Sequence, residues 1–198
     1  MNQLINSENV VRRKSKIIPR ILIISGIIIF ISLLSFILYH FIFKNFSEKT
    51  SISDLKQAWN KYDYETVYNA SSEILIEKPF NNSALTYHGY SAFYLAVSQT
   101  DTALAQAYLD EAINSMRNAI PNAKSSLIPQ LEYMLGKAYF YKNTITSYYY
   151  ADLAVKYLVS ARKHGYKADD IPEYLGLSYA ALGQTMESIS AFTEALLI

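Results

Sequence analysis

IPEYLGLSYAALGQTMESISAFTEALLI, residues Ile171–Ile198, reads as two short helices around one break. Leu175, Gly176, Tyr179 and Leu182 recur at helical spacing, and Gly183 ends that run. Ser188, Phe192 and Ala195 then recur at spacings of four and three. Gly176 and Ser188 are small, while Tyr179 and Phe192 are large. Small residues facing large ones let two antiparallel helices approach closely. Neither helix is long enough to be stable alone, so the pair implies neighbours of the same kind.

The alternation continues upstream. LEYMLGKAYFYK carries Leu135, Gly136 and Tyr139, and YADLAVKYLVSARKHG carries Ala154, Leu158 and Ala161. ALTYHGYSAFYLAV carries Gly89, and YLDEAINSMRNAI carries Ala112, Met116 and Ala119. YETVYNASSEILIEKPF has Val67 in the small-residue place and closes on Pro79. The helix before it, Asp54–Asn60, departs from the pattern: Leu55 stands where Gly stands elsewhere, and Trp59 is bulky. From each second-helix small residue to the next Gly, the step is 22 for Val67 to Gly89 and for Ala154 to Gly176, and 24 for Ala112 to Gly136. Inside a unit the step is 12 from Gly176 to Ser188, but 23 and 18 in the two middle units. LAVSQTDTALAQAY and FYKNTITSYYY hold few helix breakers, so the extra residues predict longer helices that project from one edge.

This helix–turn–helix alternation resembles the tetratricopeptide repeat (TPR) family. The resemblance covers residues 53–198 as four repeats, about 53–81, 82–122, 126–167 and 169–198. It implies an all-α solenoid whose first helices line an extended concave groove.

Ahead of the repeats lies Ile21–Phe43, 23 residues without Asp, Glu, Lys or Arg. A helix of that length spans the roughly 30 Å hydrocarbon core of a bilayer. The run is too long for the apolar core of a cleaved signal peptide and ends in Tyr-His-Phe-Ile-Phe rather than small residues, so it reads as an uncleaved signal anchor. Arg12, Arg13, Lys14, Lys16 and Arg20 precede it against Glu8 alone. The positive-inside rule therefore places residues 1–20 as a cytoplasmic tail and the repeats outside, after a linker over 44–52. In a bacterium this is a single-pass protein of the inner membrane with a periplasmic repeat domain.

Charge and composition exclude several function classes. From Lys44 onward there are 16 acidic and 13 basic residues, with no basic stripe for nucleic acid. The chain has no Cys, so disulfides, thiolate nucleophiles and thiolate metal sites are absent. His40, His88 and His164 share no metal-ligand spacing, and no Gly-rich phosphate loop occurs. No catalytic, cofactor or metal residues are expected. Asp110–Glu111 read as a solvated face, and Asp169–Asp170 as a helix cap before Pro172. His88 reads as a packing residue, and a buried pocket joining it to carboxylates would favour catalysis instead.

Binding is the remaining class. Mapped through the resemblance, the groove takes Lys56, Trp59 and Asn60 from repeat 1, and Tyr90, Phe93 and Tyr94 from repeat 2. Repeat 3 gives Tyr133, Lys137, Phe140 and Tyr141, and repeat 4 gives Leu177, Ala180 and Ala181. Phe93 and Phe140 are expected in the core, while Tyr90, Tyr94, Tyr133 and Tyr141 divide between groove and core. Trp59, Tyr90, Tyr94, Tyr133, Lys137 and Tyr141 are the candidate contacts for a protein or peptide partner. Chaperone-binding members of the family clamp a terminal carboxylate with Lys and Asn. Here Ile52, Thr86 and Tyr90 stand where that clamp needs them, so the resemblance does not extend to it. Of Tyr148, Tyr149 and Tyr150 at least one must be exposed, since three consecutive residues cannot share a helix face. Tyr149 is the candidate edge contact. The apolar end around Phe192, Leu196 and Leu197 implies a truncated repeat, a covering partner or self-association. The expected role is a non-enzymatic scaffold or adaptor in envelope or secretion-machinery assembly. A chaperone-like holder of exported clients and a positioning subunit of an enzyme complex are the alternatives.

Overall fold

A computed structural model of the chain describes residues 29–38, 51–146 and 149–198. The chain divides into two compact units, Met1–Lys49 and Thr50–Ile198. In the first, residues 29–38 are helical and exposed. The rest of the expected anchor 21–43, the tail 1–20 and residues 44–50 of the linker lie outside the described residues. Among the described residues, no helix is long and apolar enough to cross a membrane.

The second unit is built of helices α1 (Ile52–Trp59), α2 (Tyr64–Glu77), α3 (Asn82–Val97), α4 (Thr102–Ala119), α5 (Ile128–Ile145), α6 (Ala151–Lys163), α7 (Ile171–Ala181) and α8 (Thr185–Ala195). A 3-10 turn, Ile120–Asn122, follows α4. The starts are set by the sequence. Ser51 and Asp54 form a capping box on α1, and the side chains of Asp63, Asn81 and Asp101 cap α2, α3 and α4. Pro129 and Pro172 occupy the first turns of α5 and α7, where a missing N–H costs nothing.

Successive helices pack against each other, and α1, α3, α5 and α7 pack in turn on one another. That is the contact pattern of a stacked solenoid of helical pairs. Each of the last three pairs meets at a glycine. A Cβ on Gly89 would lie 2.6 Å from Met116 Cγ, one on Gly136 2.6 Å from Leu158 Cγ, and one on Gly176 2.8 Å from the Phe192 ring. In every case the large residue sits four positions after the small one, Ala112, Ala154 or Ser188. The Ser188 hydroxyl also donates to the Gly176 carbonyl at 2.9 Å. Repeat 1 keeps the 12-residue step but reverses the sizes, with Leu55 in the glycine place and Ser71 in the large-residue place, both fully buried.

The long steps of the middle repeats enter the helices. The helices α3, α4 and α5 have 16, 18 and 18 residues, against 11 each for α7 and α8. In repeat 3, α6 has 13 residues. The remaining extra residues there lie in the 146–150 connection, of which 147–148 are outside the described residues.

The turns after α1 and α7 share one geometry. Gln184 and Gly183 donate to the carbonyls of Tyr179 and Ala180, and Gly183 is left-handed at φ 70°. Asp63 and Tyr62 repeat those bonds to Ala58 and Trp59, with Tyr62 at φ 58°. This is the Schellman closure that normally takes glycine, here held by an exposed tyrosine at a cost of about 1 kcal/mol.

Two substitutions follow with opposite signs. Gly136→Ala drives a methyl group into Leu158 and should destabilise the fold by about 2 kcal/mol. Tyr62→Gly removes the left-handed strain and should stabilise it by about 0.5 kcal/mol, after the greater freedom of glycine in the unfolded chain is counted. Urea midpoints moving in opposite directions are the expected result.

Candidate partner-binding face

The candidate face is the succession of first helices, α1, α3, α5 and α7. Its rings form a connected series through all four repeats. Trp59 meets Tyr64, Tyr87, Tyr90 and Tyr94 with centroids 5.4–5.9 Å apart. Tyr64 stacks on Tyr94 at 4.4 Å, and Tyr94 sits edge-on to Phe93. Phe93 reaches Tyr141 across the next interface, and Phe140 and Tyr141 reach Tyr174 across the one after. Such aromatic pairs each add about 0.5–1.5 kcal/mol beyond their area burial, so these rings bind the repeats together as well as facing outward.

Their burial divides the candidate residues. Tyr90 and Tyr133 are only 5% and 8% exposed, and Phe93 is in the core. Trp59, Tyr94, Phe140 and Tyr141 are half-buried. Lys137 is not a free cation. Its Nζ lies 2.9 Å from Asp170 Oδ2, 3.1 Å from the Tyr133 hydroxyl, and over the rings of Tyr133 and Tyr174. The Tyr133 hydroxyl donates to the same carboxylate, at 2.6–2.7 Å. Burial pushes the Tyr133 phenol far above its ordinary value, and Asp170 pushes it further, so it stays protonated and donating. Asp170 makes no capping bond to α7 although it occupies the N-cap position, because α5 takes its carboxylate.

The remaining candidates are scattered. Tyr149 is 85% exposed at the edge, beside Tyr150, whose N–H donates to Asn143 Oδ1. Phe192 packs on Gly176, whereas Leu196 and Leu197 are more than four-fifths exposed. Ile76 and Phe80, near the end of repeat 1, are equally exposed and were not singled out by the sequence reading. Their signal was an apolar run, ILIEKPF, with more apolar positions than one buried helix face can take.

Sequence reasoning also missed a buried polar network. His88 on α3 stacks on Tyr68 of α2 at 4.6 Å. Its Nδ1 lies 3.1 and 3.3 Å from the hydroxyls of Ser71 and Ser72, and its Nε2 lies 3.3 Å from Glu111 Oε2 on α4. The Tyr68 hydroxyl donates to that same carboxylate. Asp110, the neighbour of Glu111, pairs with Lys142 of α5. Burial works against charge on Lys142, and the Asp110 carboxylate outweighs it and raises the lysine. These acidic residues are nearly half exposed, as a solvated face requires, and also bond neighbouring helices to each other.

Serine, histidine and glutamate thus converge, the arrangement that would favour catalysis. Ser71 is fully buried, however, and its Oγ lies 2.9 Å from the Tyr68 carbonyl. The half-buried Ser72 hydroxyl likewise donates to the Tyr68 carbonyl, at 2.8 Å. The cluster links three successive helices and satisfies its own polar atoms.

No protein-family model and no curated protein matches the chain. Among solved structures, the chain is similar to the crystal structure of MamA, with 21% identity over 75% of this chain and 74% of that one, at a TM-score of 0.55. It is also similar to the MamA RS-1 ArsTM double mutant, with 16% identity over 75% of each chain and a TM-score of 0.52. At these identities the likeness is one of fold, and it supports a TPR-type helical solenoid.

The network carries a pH dependence. Burial lowers the His88 pKa below its ordinary 6.5, with Glu111 opposing in part. A lowered folded-state value means the neutral ring is favoured on folding. The stability it gives is complete above pH 6.5 and falls as pH drops through the folded-state value. Urea midpoints of the native chain should therefore decline between pH 7.5 and about 5, and those of His88→Gln should decline less over that window.

Proposed function

We propose that the chain is a non-enzymatic, membrane-anchored scaffold that holds a protein partner along its first-helix face. The observation carrying this reading is the connected series of rings through all four repeats, of which Trp59, Tyr94, Phe140, Tyr141 and Tyr174 are half-exposed. Rings already fixed by their neighbours lose little rotamer freedom on binding and offer large contact area, the property of interface hot spots. The likeness to MamA is consistent with an interaction role.

Anchoring rests on the sequence: a charge-free run over 21–43 behind a basic tail. On that basis the repeats lie on the extracytoplasmic side of a bacterial inner membrane, where an adaptor for envelope or secretion-machinery assembly fits the layout. A holder of unfolded exported clients is the second reading, favoured by the exposed Ile76, Phe80, Leu196 and Leu197.

Photo-crosslinking groups at positions 94, 141 and 149 of the full-length chain, activated in intact cells, separate these readings. One discrete product from positions 94 and 141 is expected. A ladder of many products indicates a client holder. A product from position 149 alone moves the contact to the projecting edge. A product of twice the chain's own mass indicates self-association. No product at 94 and 141 overturns the face as a binding surface.

A further inference from the structure

The connection between α6 and α7 does more than join two repeats. Gly165 is left-handed at φ 88°, and Gly165 and Tyr166 close α6 by donating to the carbonyls of Arg162 and Ala161. The chain then lays Tyr166 face to face on Tyr133, with ring centroids 4.7 Å apart. Four residues later Asp170 accepts from the Tyr133 hydroxyl and from Lys137. One short segment therefore supplies a stacked ring and a charge-assisted bond to two of the candidate contacts on α5.

A third candidate beside it is incomplete. The Tyr90 hydroxyl is buried and, among the described residues, has no hydrogen-bond partner, a state it shares with Asn82 Oδ1 and Ser178 Oγ. Tyr166 and Tyr94 lie close enough to it to raise its pKa beyond what burial alone does. An unsatisfied buried hydroxyl costs about 1–3 kcal/mol, a cost that phenylalanine would avoid at the same place. An acceptor brought by a ligand would satisfy that oxygen.

We propose that Gly165–Asp170 is an internal occupant of the first-helix face. The site it fills, around Tyr133, Lys137 and Tyr90, takes a partner peptide with an aromatic ring followed within a helical turn by a carboxylate. The proposal rests on the reading of this face as the binding surface, and it assigns the chemistry of the ligand and the form of its regulation. A partner therefore meets a filled site until the segment is displaced.

The test uses the full-length chain in detergent micelles and a fluorescent peptide copying Lys163–Pro172, KHGYKADDIP. Anisotropy should show the peptide binding Tyr166→Ala at least about tenfold more tightly than the native chain. A peptide with alanine in the tyrosine position should lose that gain. Emission of Trp59, the only tryptophan, reports the same event because its ring is 5.9 Å from Tyr90. Equal affinity for the two proteins, or equal binding of the two peptides, overturns the proposal. If Tyr166→Ala loses its helical signal, Tyr166→Leu keeps apolar bulk without the flat face and meets the same two outcomes. Crosslinks at positions 94 and 141 without any effect at Tyr166 leave the binding face standing and remove only its internal occupant.

Discussion

Everything in the repeat unit depends on how closely the two helices of a pair approach. At Gly89, Gly136 and Gly176 there is no room for a methyl group, because a large side chain from the second helix lies where it would be. Interiors at crystal-like density have no slack to absorb the addition. The close approach fixes which residues of the first helix turn inward, and so which turn toward the next first helix. The aromatic series across the repeats is a consequence of that rotation. Repeat 1 reaches a comparable packing by reversing the sizes, with Leu55 on the first helix and Ser71 on the second. Volume is kept while the residue types exchange places, which hydrophobic cores tolerate well.

The rings show how one set of side chains serves two purposes. Each of Trp59, Tyr94, Tyr141 and Tyr174 touches a ring of another helix, so the face is part of the mortar between repeats. Tyrosine suits this double duty, since its body is apolar and its hydroxyl reaches solvent or a neighbour. The polar bonds between repeats follow the same logic. Lys137 to Asp170, Asp110 to Lys142 and Arg162 to Glu194 all span 32 or 33 residues, about one repeat. The half-buried pairs fix how one repeat sits on the next, whereas the exposed Arg162–Glu194 pair contributes little to stability.

The repeat pattern was legible because it rests on local signals. A glycine in an apolar run and a large residue four after a small one can be counted without a structure, and both proved to be contacts. The longer middle helices were legible from missing breakers. What resisted reading depends on more than one helix. His88 meets Ser71, Ser72 and Glu111 only because α2, α3 and α4 are rotated to bring them together. Asp170 looked like a cap because capping is a local rule, and a tyrosine and a lysine on α5 outcompete that rule. Tyr62 was missed because nothing in its own neighbourhood announces a left-handed turn; only alignment with Gly183, at the same place in repeat 4, reveals it. Sequence places the six face residues on the first helices of three repeats, α1, α3 and α5, but their burial follows from packing between repeats.

The described surface offers a partner two different kinds of contact. Exposed single residues, Ile76, Phe80, Tyr149, Leu196 and Leu197, have almost all of their apolar area still in water. Covering them releases about 25 cal/mol for each Å² removed, with no preference for the geometry of what covers them. The first-helix face has less area left to bury, because its rings already shelter one another. Its contacts are positioned instead: a lysine held between two rings, a phenol fixed by a carboxylate, and a hydroxyl with no partner among the described residues. Affinity can come from either kind of surface. Discrimination between ligands comes from positioned polar groups, since a ligand that leaves them unpaired pays their desolvation without return. Around Tyr133 and Lys137 the polar groups are already paired with Asp170, so their geometry is fixed before any ligand arrives.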